Sequence, residues 1–327
     1  MNNKSFKTYE EQIELLKSRN LIFRDPENAK YILMNNSYYS LINGYKDLFT
    51  VLKNNPNEED DYDNNDFDDL RRLYDFDKEI SSVLYKYLLK IEDTLKTNMS
   101  YSVANEYGHL ELDYLKVNNY DLGKKLNNGK YSRDETLATL RYKIASKDSK
   151  TINHYKLKYK NVPPWIVVNS LTLGNIIHWY SISNPNIKGH IANTFLNEKN
   201  TIEDNKKMFL LSIWNIRLFR NKVAHGTRIY YNDSLYSPPV ILLSKYVSSD
   251  FLKDVRYYKH IRKSGFVGIC ISMCILFSKR DTVRKKFIND LEEVFDTYKT
   301  YKPEMYYTML KFADIPFNFI DSLRKIF

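Results

Sequence analysis

The chain has 327 residues, with 50 Lys or Arg against 40 Asp or Glu and a formal net charge of +10. A hydrophobic content of 43% supplies a sizeable core and excludes wholesale disorder. Nine Gly and nine Pro are too few for an all-β fold rich in tight turns, so an all-α fold is expected. Two Cys exclude a disulfide scaffold and fit a reducing compartment. The longest apolar run, 265–277, is shorter than the ~20 residues of a bilayer span, and the N-terminal MNNKSFKTYEEQ lacks the apolar core of a signal peptide. A cytoplasmic protein with no membrane partner is therefore expected.

In chain order, Thr8-Tyr9-Glu10-Glu11 is a capping-box pattern that opens a helix running to about Arg19. Asp25-Pro26 starts a second helix, with Pro in its first turn. Residues 38–49 read as a third short helix. The stretch 54–69 holds Pro56 and eight acids without a Lys or Arg, which predicts an exposed loop. From Asp77 to about Tyr107, Ile80, Val83, Leu84, Tyr87, Leu88, Ile91, Leu95 and Met99 recur at helical spacing. Pro163-Pro164-Trp165 opens a helix to about Tyr180, and Thr201-Ile-Glu-Asp opens another towards His225. Residues 230–239 read as a loop, and Val240–Leu243 as a short strand or a buried turn. Helices follow over 257–277, 281–298 and 303–312. No repeat and no Gly-rich phosphate loop is present in the sequence.

Charge is unevenly spread. Without the acidic stretch the remainder carries +18, and residues 121–160 alone hold +7, interleaved with Tyr131, Tyr142, Tyr155 and Tyr159. Basic charge with aromatics suits RNA, where cations meet phosphates and rings stack on bases. A solvated connector is the rival reading, as is plain enrichment of Lys, Tyr, Asn and Ile in the chain. The candidate RNA contacts here are Lys124, Lys125, Lys130, Arg133, Arg141, Lys143, Lys156, Lys158 and Lys160.

Within the 201–225 helix, a wheel at about 100° per residue gathers Arg217, Asn221, His225 and Arg228 within ~80°, with Arg220 at the edge. Ile216, Phe219 and Val223 fall on the other side. One face is thus apolar, and one carries phosphate binders, an amide and an imidazole. The remaining histidines (His109, His154, His178, His190, His260) pair with no Cys or carboxylate at a metal spacing, so no metal and no cofactor is expected. Cys270 and Cys274 lie in the apolar 266–277 stretch and read as core residues.

Six ordered stretches carry a resemblance. They are Tyr9-Glu-Glu-Gln-Ile-Glu-Leu-Leu-Lys-Ser-Arg19, Asn36-Ser-Tyr-Tyr-Ser-Leu-Ile-Asn-Gly-Tyr45, Leu73-Tyr-Asp-Phe-Asp-Lys-Glu79, Ile91-Glu-Asp-Thr-Leu-Lys-Thr97, Pro163-Pro-Trp-Ile-Val-Val-Asn-Ser-Leu-Thr-Leu-Gly174 and Arg220-Asn-Lys-Val-Ala-His225. In this order the chain, over about residues 5–230, resembles the Abi-like (AbiD/AbiF) abortive-infection family of bacterial phage-defence proteins. Arg, four to six residues, then His is also the signature of HEPN ribonucleases. Where the family pattern often has a second His after the motif His, Gly226 stands here.

The resemblance implies a HEPN-type helical bundle with an N-terminal helical extension and additional C-terminal helices. We expect an N-terminal subdomain over 1–75 that ends in the acidic loop, and a HEPN-like domain over 76–327. It further implies metal-independent RNA cleavage, a homodimer that completes the site, and a structured non-coding RNA as partner. Arg220 and His225 are then the catalytic candidates with Asn221, the imidazole moving protons near neutral pH and the guanidinium meeting the pentavalent phosphate. Arg217 and Arg228 are candidates for further phosphate contacts. Substitution of Arg220 or His225 by Ala is expected to abolish cleavage and spare the fold. The alternative is an RNA-binding module, in a ribonucleoprotein or toxin–antitoxin pair, whose Arg/His motif contacts phosphate without cutting it. A helical interaction protein with an incidental basic surface is a third reading.

Overall fold

The computed structural model describes residues 5–53, 55, 58–231, 238–253 and 265–327. Among them the chain is all-α: there is no strand, and only two isolated bridges form, Ile22 with Asp66 and Lys125 with Tyr131. Helix α1 spans Tyr9–Lys17 and α2 Pro26–Asn35. Both start where local chemistry dictates. Thr8 and Glu11 close a reciprocal capping box, and the Asp25 carboxylate accepts from the Asn28 amide ahead of Pro26.

Residues 38–49 form a π-helical turn at Tyr39–Asn43 and a 3-10 turn at Lys46–Leu48 rather than the single helix expected. The acidic stretch corrects the reading of an exposed loop. Of the described residues, 55, 58, 59 and 61 are exposed, but Tyr62 and Phe67 are buried in the core, and several of its carboxylates have specific partners. Asp60 holds Lys46 and Lys53, and hydrogen bonds from both outweigh burial to keep its carboxyl below the usual range. Asp66 caps the following helix, and Asp69 pairs with Lys302. Charge count alone does not separate a solvated acid from a capping or paired one.

Helix α3 therefore starts at Phe67, ten residues before the point expected, and runs 41 residues to Tyr107. It stops at Gly108, whose φ of +89° breaks the helix. It passes unbroken through positions 75 and 76, so the expected division between subdomains falls inside one helix.

The chain continues through α4 (Glu111–Tyr114), α5 (Ser132–Ala145) and α6 (Lys150–Tyr159). The last two occupy the basic stretch, where Leu137, Leu140, Ile144 and Ile152 bury beneath the charges. After the helical turn α7 (Pro164–Val167) the chain breaks at Leu171–Thr172. A new capping box at Thr172 and Asn175 then starts α8 (Leu173–Ile182). Helix α9 (Pro185–Phe195) follows, started by Asn184 and Pro185.

Helix α10 (Ile202–Ala224) packs on α3, α8 and α9. Residues 232–237 of the expected loop lie outside the described residues. Val240–Leu243 is the short helix α11, not a strand. Helix α12 spans Ser249–Lys253, and of the expected 257–277 helix the described portion is α13 (Gly265–Leu276). Every residue of α13 is buried, as befits a helix apolar all round at the centre of a bundle. It lies against α10, where Asn215 donates to the Ser272 hydroxyl at 3.3 Å. Cys270 and Cys274 are buried within it, as core residues. Helices α14 (Asp281–Tyr301), α15 (Pro303–Phe312) and α16 (Phe319–Arg324) complete the chain. Helix α14 runs along α3, where Asp290 accepts from Lys86 and Tyr87. Among the described residues no helix is long and apolar enough to cross a membrane.

Candidate functional site

Arg217, Arg220 and Asn221 ride on α10, and His225 is its C-terminal cap. The helix ends in a Schellman arrangement. The Gly226 amide donates to the Val223 carbonyl and the Thr227 amide to the Lys222 carbonyl, both at 3.0 Å, while Gly226 takes φ +65°. Gly226 therefore serves the backbone turn, since a side chain there would strain the left-handed conformation. Lys78, reaching over from α3, donates to the Gly226 carbonyl.

Beyond this cap the chain leaves the helix axis, which corrects the placement of Arg228. The wheel assumed a helix through residue 228. Instead Arg228 turns back to the N-terminal region and donates to the Gly44 carbonyl at 2.7 Å and to Asp47 at 3.1 Å. The next two residues are fixed by Asp77, a fully buried carboxylate on α3. One oxygen accepts from the Ile229 and Tyr230 amides, each at 2.8 Å, and the other from the Tyr45 hydroxyl at 2.6 Å. Burial pushes the Asp77 carboxyl up, against the pull of these hydrogen bonds.

The candidate catalytic residues divide by environment. Asn221 and His225 are exposed, and among the described residues neither side chain has a hydrogen-bond or ion-pair partner. Arg220 is half-buried and its Nε lies 3.2 Å from Glu92 of α3. The Glu92 side chain is only 4% exposed and also holds Lys96 at 2.8 Å. One carboxylate thus anchors two cations beside the end of α10. Arg220→Ala consequently carries a cost to the fold that the sequence reading left out.

Arg217 sits one turn earlier, its guanidinium 5.1 Å from the Trp214 ring centre. It passes so close to α8 that a Cβ on Gly174 would lie 2.8 Å from its Nε. Trp214 also meets His178 edge-on at 5.4 Å. Burial, and then the charge of Arg217, push the His178 imidazole pKa down.

The basic candidates of the 121–160 region lie on separate elements. Lys124, Lys125 and Lys130 stand on an exposed hairpin ahead of α5, with Lys130 near Glu135 at 3.5 Å. Arg133 pairs with Asp134, and Arg141 donates to the Leu115 carbonyl. Lys143 lies on α5; Lys156 and Lys158 lie on α6, and Lys160 caps it. Lys124 lines a hollow that α10 also lines. Among the described residues no group of three His, Cys, Asp or Glu could hold a metal ion; His260 lies outside them.

Asp77 and Glu92 lie outside the motif, yet the sequence carries a signal for both. Asp77 lies three residues before Ile80 and Glu92 four after Leu88, on the apolar stripe of α3, and a carboxylate on such a stripe demands a partner.

The sequence matches the Abi-like protein family over residues 31–231, and the chain belongs to that family, which makes it an abortive-infection protein. No curated protein and no solved structure matches the chain.

Proposed function

We propose that this protein is a metal-independent endoribonuclease of the HEPN type that cuts RNA during phage defence. The observation that carries the reading is the end of α10: an exposed imidazole and amide, His225 and Asn221, unpartnered among the described residues, beside an Arg220 held by a buried carboxylate. In the proposed reaction the 2′-hydroxyl of the substrate attacks the adjacent phosphorus. The bond to the 5′-oxygen breaks, leaving a 2′,3′-cyclic phosphate and a 5′-hydroxyl. An imidazole takes the 2′ proton, a second proton donor supplies the leaving oxygen, and a guanidinium meets the charge of the pentavalent phosphate. Among the described residues, one chain offers one imidazole at this place. A homodimer that brings two α10 ends together supplies both the base and the acid, so the protein acts as a dimer.

The expected result is cleavage of added RNA in excess chelator, lost on the order of 10²–10⁴-fold in His225→Ala, the range for a removed general acid or base. Asn221→Ala should fall between. Both variants should unfold within about 0.5 kcal/mol of wild type, because exposed, unpartnered side chains contribute little to stability. Undiminished cleavage by His225→Ala, or an absolute need for Mg²⁺, would overturn the reading.

A second reading is favoured by one contact. Arg220 directs its Nε at Glu92, as a structural or RNA-positioning residue would. In that case the protein holds a structured non-coding RNA without cutting it. A discrete RNA that co-purifies, with no turnover of added RNA, would distinguish this from cleavage.

A further inference from the structure

Residues 122–132 fold back on themselves. The Leu126 amide donates to the Lys130 carbonyl and the Ser132 amide to the Lys124 carbonyl, both at 2.8 Å. Gly123 makes the approach possible: it has φ +69°, and a Cβ there would lie 2.1 Å from the Ser132 hydroxyl oxygen. The hairpin faces the N-terminal half of α10 across His178. Between them lies a hollow of about 640 Å³ lined by Lys124, Leu126, His178, Lys207, Leu210 and Trp214. A second hollow of about 360 Å³ adjoins it, sharing Leu126, Ser132 and His178, and reaches under the hairpin to Thr136 and Thr139 of α5. Both fall within the size range of sites that bury small organic groups, ~300–1,000 Å³.

The charges in this groove are sorted. Of its acids, Glu203 is held by Lys206 and Asp204 by Lys245. Lys188, also in the wall, pairs with Asp121. Lys124 and Lys207 are exposed, and among the described residues neither has a carboxylate within ion-pair distance. Among the described residues the groove therefore presents two cations outside any ion pair, Lys124 and Lys207, the second within the field of Asp204, around an apolar floor of Leu126, Leu210 and Trp214. His178, with its pKa pushed down, offers a neutral imidazole that can both donate and accept a hydrogen bond. Two cations for phosphates, an aromatic and aliphatic floor for bases, and a neutral donor–acceptor are what a single nucleic-acid strand requires.

The groove also has a direction. On the α10 wheel, Lys207, Leu210, Trp214, Arg217 and Asn221 fall within about 80° of one another. They form one face about 21 Å long that ends one turn before His225.

We propose that this groove seats single-stranded RNA, with Lys124 and Lys207 on its phosphates and Leu126 and Trp214 against its bases, and that the α10 face carries the strand to His225. The proposal rests on the RNA reading above and adds the path of the strand.

The test uses the full chain and a fluorescent 2′-O-methyl RNA of roughly 12 nucleotides, within the usual span of such grooves. That probe cannot be cut by 2′-hydroxyl attack, so binding is read without cleavage. Affinity is measured by anisotropy between about 0.05 and 0.2 M salt. Each lost phosphate contact lowers the salt slope by about 0.7 on a single strand, so the pair Lys124→Gln and Lys207→Gln should lower it by about 1.4 and weaken binding roughly 10–25-fold near 0.1 M salt. The charge-matched pair Lys299→Gln and Lys311→Gln, on α14 and α15, should bind as wild type does. Ultraviolet crosslinks should map to the peptides holding Trp214 or His178. Wild-type affinity and slope in the groove pair would overturn the groove and leave the RNA reading standing. Failure of the wild-type protein to bind any RNA at low salt would overturn both. Equal competition by polyglutamate would overturn the assignment of bases to Leu126 and Trp214.

Discussion

Replacing Arg220 by Ala removes one of two cations from a carboxylate that the fold has buried. Breaking a fully buried ion pair from one side costs about 3–5 kcal/mol. Two facts reduce that figure here. The Arg220 side chain is 31% exposed, and Lys96 stays 2.8 Å from Glu92. We therefore expect a loss of about 1–2 kcal/mol. For a chain of 327 residues this lowers the midpoint of thermal unfolding by about 2–3 °C. The decisive variant is the double one. Glu92→Gln removes the charge that Arg220 neutralises, so adding it to Arg220→Ala should recover most of the lost stability. It should recover none of the cleavage, if the guanidinium also meets the phosphate. Urea unfolding followed by circular dichroism reads the first quantity, and turnover of a labelled RNA in chelator reads the second. An Arg220→Ala protein as stable as wild type would refute the account of the ion pair. Cleavage restored together with stability in the double variant would show that Arg220 acts only by holding Glu92.

Two other predictions concern the residues that fix the segment after the motif. The Asp77 carboxyl is pushed up by burial, so the folded protein holds its proton to higher pH than the unfolded chain does. This group's contribution to stability is then fully present below about pH 4 and lost as pH rises through the raised value. In Asp77→Asn that loss should vanish, so the stability difference between wild type and variant should change with pH above about 4, and a pH-independent difference would contradict the assignment. Gly226→His, which installs the second His common in the family pattern, should cost about 1–2 kcal/mol because it forces a side chain into a left-handed backbone, as denaturant unfolding can show.

Much of the framework was readable in the sequence because its signals are local. Thr8, Asp25 and Thr201 cap helices through atoms within three residues, and α3 and α10 announce themselves by apolar spacing. Helices α5 and α6 were hidden because basic side chains dominate their exposed faces and dilute the period of Leu137, Leu140 and Ile144. The start of α3 was missed for the opposite reason, since its first turn lies inside a run of acids that reads as solvent-facing. At the candidate site, the residues of α10 were legible and their partners were not. Glu92, Asp77 and Gly44 come from segments more than a hundred positions away, and a helical wheel carries no information past a residue such as Gly226 that ends the helix. The hollow between the 122–132 hairpin and α10 was invisible for the same reason.

The buried helix α13 has a consequence for synthesis of the chain. The motif on α10 is complete once the ribosome has passed residue 225, yet the helix that covers its inner side is made only from residue 265 onward. The brace between α3 and α14, where Lys86 and Tyr87 meet Asp290, comes later still. Until then the emerging polypeptide bears an Arg/His pair without the packing that orients it. A truncation that keeps the entire matched family region, residues 31–231, would therefore leave α10 without the floor that α13 provides.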